Sequence, residues 1–236
     1  MGCIEFPIIY IMFERVDLMK ISVLQPEIER GNIKKNAAII QKLINKANGD
    51  LLILAEYALT GSLVLENNVN IQKWVTESEV AKQELSIPEN KRLLINSLII
   101  KEEQIYNACT LLPTDEIIQI KTIPDRTETD SGICAGKGIS IVELEDKKII
   151  IIICSDIVEI DKISTIGADL MLFIYHFTPE NHEKRLDDLV NISTERNIPI
   201  VTASLTSDKN YGHSCYVFGS TIVSLGNENG ILEVII

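Results

Sequence analysis

Five consecutive isoleucines, Ile149 to Ile153, run directly into Cys154. β-Branched residues favour extended backbone. A run that is apolar at every position leaves no face for water, so a strand buried on both sides is expected here. Leu51 to Ala55 (LLILA) repeats the pattern, and Leu170 to Tyr175 (LMLFIY) extends it. Helical spacing fills the intervals. From Asn32 to Ala47 apolar residues fall at Ile33, Ala37, Ile40, Leu43, Ile44 and Ala47, with Lys and Asn opposite, and Asn48-Gly49-Asp50 ends that stretch. Doubly buried strands alternating with amphipathic helices predict an α/β fold.

The remaining elements follow from local pattern. Lys20 to Leu24 reads as a first strand, and Ser78 to Leu85 as a second helix. Arg92 to Ile100 and Tyr106 to Leu112 read as a hairpin turning at Lys101 to Gln104, followed by a strand at Glu116 to Lys121. Ile139 to Leu144 pairs with Lys148 to Cys154 around Glu145-Asp146. Helices are expected around Ile160 to Gly167 and from Pro179 to Asn197, with a strand at Pro199 to Ala203. Ser214 to Ser224 and Ile231 to Ile236 are expected to close the chain as a hairpin-like pair.

The chain has 236 residues, enough for a sizeable core in one large domain. We place its start at Met19, reading residues 1–18 as an upstream extension. The apolar run Phe6 to Phe13 is too short to span a bilayer. It lacks the flanks of a signal peptide, and Phe6 stands where a myristoylation motif wants Ser or Thr. The formal charge of -12 argues against a nucleic-acid partner, which needs clustered Lys and Arg, and against an anionic membrane surface. The five cysteines are scattered and never in a Cys-x-x-Cys pair, and the three histidines lack ligand spacing. Neither a disulfide framework nor a metal site is expected, and the setting reads as reducing and cytoplasmic.

Three polar residues stand where apolar strands end: Glu56 after LLILA, Lys121 after IIQI and Cys154 after the isoleucines. Sites in α/β folds gather beyond the carboxyl ends of strands, and an unpaired charge buried there is costly. Each residue alone has a plain explanation: Cys154 as a small core residue, Glu56 as a loop cap, Lys121 as a solvated strand end. Three complementary groups at equivalent positions are harder to explain that way. Elsewhere, His213 reads as a satisfied hydrogen-bonding residue near the pocket rim. Cys109, Cys134 and Cys215 read as core or loop fillers, and the charges at 183–188 as a solvated helix face.

From Met19 to Ile236 the sequence resembles the nitrilase, or carbon–nitrogen hydrolase, superfamily. LLILAEYALTG matches the family's strand, glutamate and Thr-Gly, with Glu56, Thr60 and Gly61 in those places. IIQIKTIPDRTETDSGICAG supplies the lysine, Lys121, and the glycine ending its loop, Gly136. IIIIICSD supplies the nucleophile, Cys154, and Asp156. The chain departs from the family pattern at Ala55 (Pro is usual), Ser155 (an aromatic), IVEIDK (Phe-Pro-Glu), and Ile133 and Ala135 (an aromatic and Pro). These positions border the pocket and leave the substrate open.

The resemblance implies a four-layer α-β-β-α sandwich and hydrolysis of a nonpeptide C–N bond, in a small aliphatic amide more than a nitrile. Cys154 would attack, Glu56 would act as base and Lys121 would stabilise the oxyanion with the Ser155 backbone. Glu128, Ser155 and Asp156 are the substrate-binding candidates. The resemblance further implies no cofactor and no metal, a homo-oligomer, and no membrane or nucleic-acid partner. The alternative is a noncatalytic protein that keeps the fold for binding or assembly.

Overall fold

The computed structural model describes residues 8–11, 18–62 and 70–236. The first helix, α1 (Ile33–Lys46), follows strand β2 (Lys20–Gln25), and β3 (Leu51–Leu54) follows it. Helix α2 (Ile71–Glu84) starts seven residues earlier than the expected Ser78, because Asn70 caps it through the Lys73 amide. Strands β4 (Arg92–Lys101) and β5 (Gln104–Leu112) form the expected hairpin. Its two loop residues, Glu102 and Glu103, both take positive φ, as a type I′ turn requires. Strand β6 (Glu116–Ile120), the short helix α3 (Arg126–Asp130) and β7 (Ile133–Cys134) complete the first half.

The second half carries β8 (Ile141–Leu144) and β9 (Lys147–Ile153), joined by a matching positive-φ pair at Glu145 and Asp146. A 3-10 helix over Cys154–Lys162 follows, then β10 (Leu170–Ile174), α4 (His182–Arg196), β11 (Ile200–Ala203), β12 (Cys215–Phe218), β13 (Thr221–Ser224) and β14 (Gly230–Ile235). Two expectations need correction. The helix placed at Ile160 to Gly167 starts at Cys154 and ends at Lys162, since Ser164, Thr165 and Gly167 supply no apolar stripe and Gly167 takes φ +82. The closing pair is not a hairpin. β12 and β13 pair with each other, whereas β14 crosses to the other sheet and pairs antiparallel with β2. Its almost fully buried residues suit an interior position, while β13 keeps an exposed, edge-like face.

With β1 at Ile8–Ile11, the strands among the described residues form two sheets, ordered β1-β14-β2-β3-β4-β5-β6, with β7 on β5, and β13-β12-β11-β10-β9-β8. Strand β1 (Ile8–Ile11) lies in the segment read as an extension and pairs in parallel with β14. The rest of residues 1–17 lies outside the described residues, and so does the segment 63–69. The isoleucine run explains the layering. Ile149, Ile151 and Ile153 join Ile21, Val23, Ile53 and Leu94 in a core between the sheets. Ile150 and Ile152 face outward, where Ile157 and Leu189 cover them. On the other side, α1 covers Leu24, Leu52 and Leu54 with Ile40, Leu43 and Ile44. The result is the expected four-layer α-β-β-α sandwich, in which a central strand meets apolar neighbours on both faces.

Candidate active site

The site is built where strands from both sheets end. β3 leads through Ala55 into a tight turn, with Tyr57 at φ +53 and its carbonyl accepting from the Thr60 and Gly61 amides. Glu56, at the head of that turn, is 2% exposed. Lys121 leaves β6 with its amide on the Asn107 carbonyl, while its own carbonyl accepts from the Gly136 amide at 2.8 Å. A Cβ on Gly136 would lie 2.7 Å from the Ile120 oxygen, so glycine permits that closure. Cys154 follows β9 directly with φ +47, a left-handed conformation that costs free energy in a residue other than glycine.

The side chains converge on Lys121. Its Nζ lies 2.9 Å from Glu56 Oε1 and 2.8 Å from Glu128 Oε2, and it is 1% exposed. Asn107 Nδ2 donates to Glu56 Oε1 and to Glu128 Oε1, each at 2.8 Å. Asn96 Nδ2 donates in turn to Asn107 Oδ1 at 2.7 Å, and Asn96 Oδ1 accepts from the Tyr57 amide at 3.0 Å. The Tyr57 hydroxyl donates to Glu128 Oε1. Burial, with Glu128 alongside, pushes that phenol up, so it remains a donor. The Cys154 thiol lies near enough to this cluster for the charges of Glu56 and Lys121 both to act on it.

Opposing effects set the ionisation. Burial alone would raise the Glu56 carboxyl, but the Lys121 ammonium, helped by the Asn107 hydrogen bond, outweighs it and holds the group below its ordinary value. Burial likewise opposes the Lys121 charge, yet Glu56 and Glu128 raise its pKa, so it stays an ammonium. The Cys154 thiol is pushed well up, first by burial and then by Glu56, with Lys121 opposing. It therefore rests as a thiol beside an ionised carboxylate, the arrangement in which a base must take its proton before it can attack.

The structure brings Glu56, Lys121, Cys154 and Glu128 together, and it gives the side chains of Glu128, Ser155 and Asp156 partners within the protein. Both Glu128 oxygens are taken by donors, Oε2 also accepting from the Asp125 amide, so the carboxylate braces Lys121 from behind. The Ser155 hydroxyl donates to the Ile123 carbonyl. Asp156 Oδ1 accepts from the Thr122 and Ile123 amides at 2.9 and 2.7 Å. Burial pushes this carboxyl up to about 6. These two side chains latch the lysine loop to the start of the 3-10 helix.

Sequence reasoning missed Asn96, Asn107 and His176. Each carried a signal: the asparagines interrupt apolar strands, and His176 follows the apolar run of β10. His213 is not satisfied as expected. Its Nε2 is buried without a partner, and its ring lies 3.9 Å from that of His182. Arg185, read as solvated, is half-buried with its guanidinium 5.1 Å from the centre of the Tyr175 ring. Cys109 and Cys215 are buried fillers. Among the described residues no group of three or more His, Cys, Asp or Glu could hold a metal ion, and no helix is long and apolar enough to cross a membrane.

No family sequence profile and no curated protein sequence matches the chain. Solved structures do match it. A glutamine-dependent NAD+ synthetase from Acinetobacter baumannii superposes with a TM-score of 0.78 at 18% identity, over 92% of this chain and 45% of that one. This chain therefore spans less than half of the synthetase. An amidase from Nesterenkonia sp., a member of the nitrilase superfamily, gives 0.74 at 16% identity, over 94% and 92% of the two chains. The CN-hydrolase superfamily protein XC1258 from Xanthomonas campestris, which carries an arsenic adduct in its active site, gives 0.73 at 16%, over 93% and 90%. The chain has the fold of the nitrilase, or carbon–nitrogen hydrolase, superfamily.

Proposed function

We propose that the protein hydrolyses a nonpeptide C–N bond in a small aliphatic amide, through a thioester on Cys154. The observation that carries this reading is the juxtaposition of a half-buried thiol, a carboxylate and an ammonium at the ends of three strands. Glu56 takes the Sγ proton as sulfur attacks the carbonyl carbon, then delivers it to the departing nitrogen. Lys121 and the Ser155 backbone N–H stabilise the oxyanion that develops in between. Water, deprotonated by Glu56, then releases the acid and restores the thiol. Glu128, Asn107 and Tyr57 hold the ammonium in place, and electrostatic stabilisation depends on such fixed donors. Structural likeness to an amidase and a CN-hydrolase superfamily protein supports the same chemistry.

The test is ammonia release from a panel of short aliphatic amides, with and without a second carboxylate. Release is expected with at least one of them, and Cys154→Ala is expected to lower its rate by about 10³-fold or more. Release that persists unchanged in Cys154→Ala would reject the mechanism.

A further inference from the structure

We propose that His176 is a positioning residue for the base: its ring accepts, at Nδ1, a hydrogen bond from the proton that Glu56 takes from Cys154. This rests on the role given to Glu56 above. His176 lies two residues beyond β10 and is 8% exposed. Its Nε2 lies 2.6 Å from the backbone carbonyl of Glu56. A carbonyl oxygen can only accept, so Nε2 must carry a hydrogen. In the neutral ring that leaves Nδ1 as a lone pair. Nδ1 in turn lies 3.6 Å from Glu56 Oε2.

The two oxygens of Glu56 are therefore unequal. Oε1 already accepts from Lys121 and Asn107, which makes Oε2 the more basic. When the Sγ–H bond breaks, the electron pair stays on sulfur and an O–H bond forms at Oε2. That hydrogen then faces the Nδ1 lone pair. Closing the gap from 3.6 Å to the ~2.8 Å of a hydrogen bond needs only a small rotation of the carboxyl. Before the transfer, the lone pairs of Oε2 and Nδ1 oppose each other. After it they share a proton, so the ring favours the state in which Cys154 is a thiolate. The charged groups facing His176 are Glu56, Lys121 and Glu128. Burial lowers the imidazole pKa, which keeps the ring neutral near pH 7 and Nδ1 free to accept.

Imidazole 15N NMR of the native protein tests the geometry. The chain has three histidines, so His182→Gln and His213→Asn identify the His176 signals by elimination. At neutral pH the expected result is a hydrogen fixed on Nε2 with Nδ1 bare. A hydrogen on Nδ1, or averaging between tautomers, would overturn the proposal. The second arm measures alkylation of Cys154 by iodoacetamide against pH in His176→Gln, which keeps a donor for the Glu56 carbonyl but cannot titrate. Loss of the ring's support for protonated Glu56, taken as one pKa unit, should slow alkylation near pH 7 about tenfold. A rate equal to that of the parent would leave His176 a structural donor only and overturn the proposal. Neither arm needs turnover. If both results hold and no amide releases ammonia, the hydrolase reading fails and the Glu56–His176 pair stands; ammonia release with unchanged alkylation gives the reverse.

Discussion

Lys121 is a buried cation held between two carboxyl groups, at 2.9 and 2.8 Å. Pairs of this kind add little net stability, but breaking one leaves an uncompensated charge. Lys121→Ala should therefore cost about 3–5 kcal/mol at pH 7 in urea unfolding. The sign with pH follows. Without the ammonium, the Glu56 carboxyl loses the main effect that opposes its burial. Its folded pKa then rises above the unfolded value, so the penalty should shrink as pH falls and the group is protonated. An equal loss at pH 7 and pH 4.5 would contradict the pairing. Glu56, Lys121 and Cys154 were legible in the sequence because each ends an apolar run, a one-dimensional signal. Asn107 and His176 were not, since their roles depend on which strands become neighbours. The Asn107–Glu56 contact spans 51 residues and the His176–Glu56 contact 120.

Elements position these residues through backbone closures more than through side chains. Gly136 closes the lysine loop at a distance that a Cβ would violate. Gly136→Ala should cost about 1–3 kcal/mol, as overpacking does, and should slow Cys154 alkylation by displacing Lys121. Parent-like stability and labelling would show that the loop can shift freely. Strand and helix identity was largely legible from periodicity, with ends moved by caps such as Asn70. Strand partnership was less legible. β14 lies near β13 in sequence, yet it pairs with β2, more than 200 residues away. What decides is two-sided burial. GILEVI is buried along nearly its whole length, while TIVS is not, and the local hairpin signal loses to that demand. The isoleucine run predicted its own environment well, because an element apolar at every position has few alternatives.

At the scale of the molecule, the sandwich joins two half-sites. The first sheet brings Glu56, Lys121, Glu128 and Asn107, and the second brings Cys154 and His176. Loss of global packing should therefore disable the site before the individual elements melt. The adjoining imidazoles of His182 and His213 bear on acid stability. Burial, then His182, lowers the His213 pKa to about 4. A histidine depressed below its unfolded value is neutral in the fold and destabilises it as it is forced to charge. Stability should thus fall as pH drops from about 6.5 toward about 4. His213→Asn, a residue that tolerates the native φ of +62, should move the acid-unfolding midpoint to lower pH. An unchanged midpoint would remove the pair from the account.

The central claim is that Cys154 is a nucleophile activated by a preformed site rather than an inert core thiol. Alkylation of the native protein near neutral pH with limiting iodoacetamide, read by peptide mass spectrometry, tests it without a known substrate. Cys154 is expected to be labelled ahead of Cys109, Cys134 and Cys215, and unfolding or Lys121→Ala is expected to remove the preference. Cys109 and Cys215 are fully buried while Cys154 is only half-buried, so those two should stay unlabelled. Labelling of Cys154 no faster than that of the other thiols would contradict the account and leave a binding or assembly role for the fold.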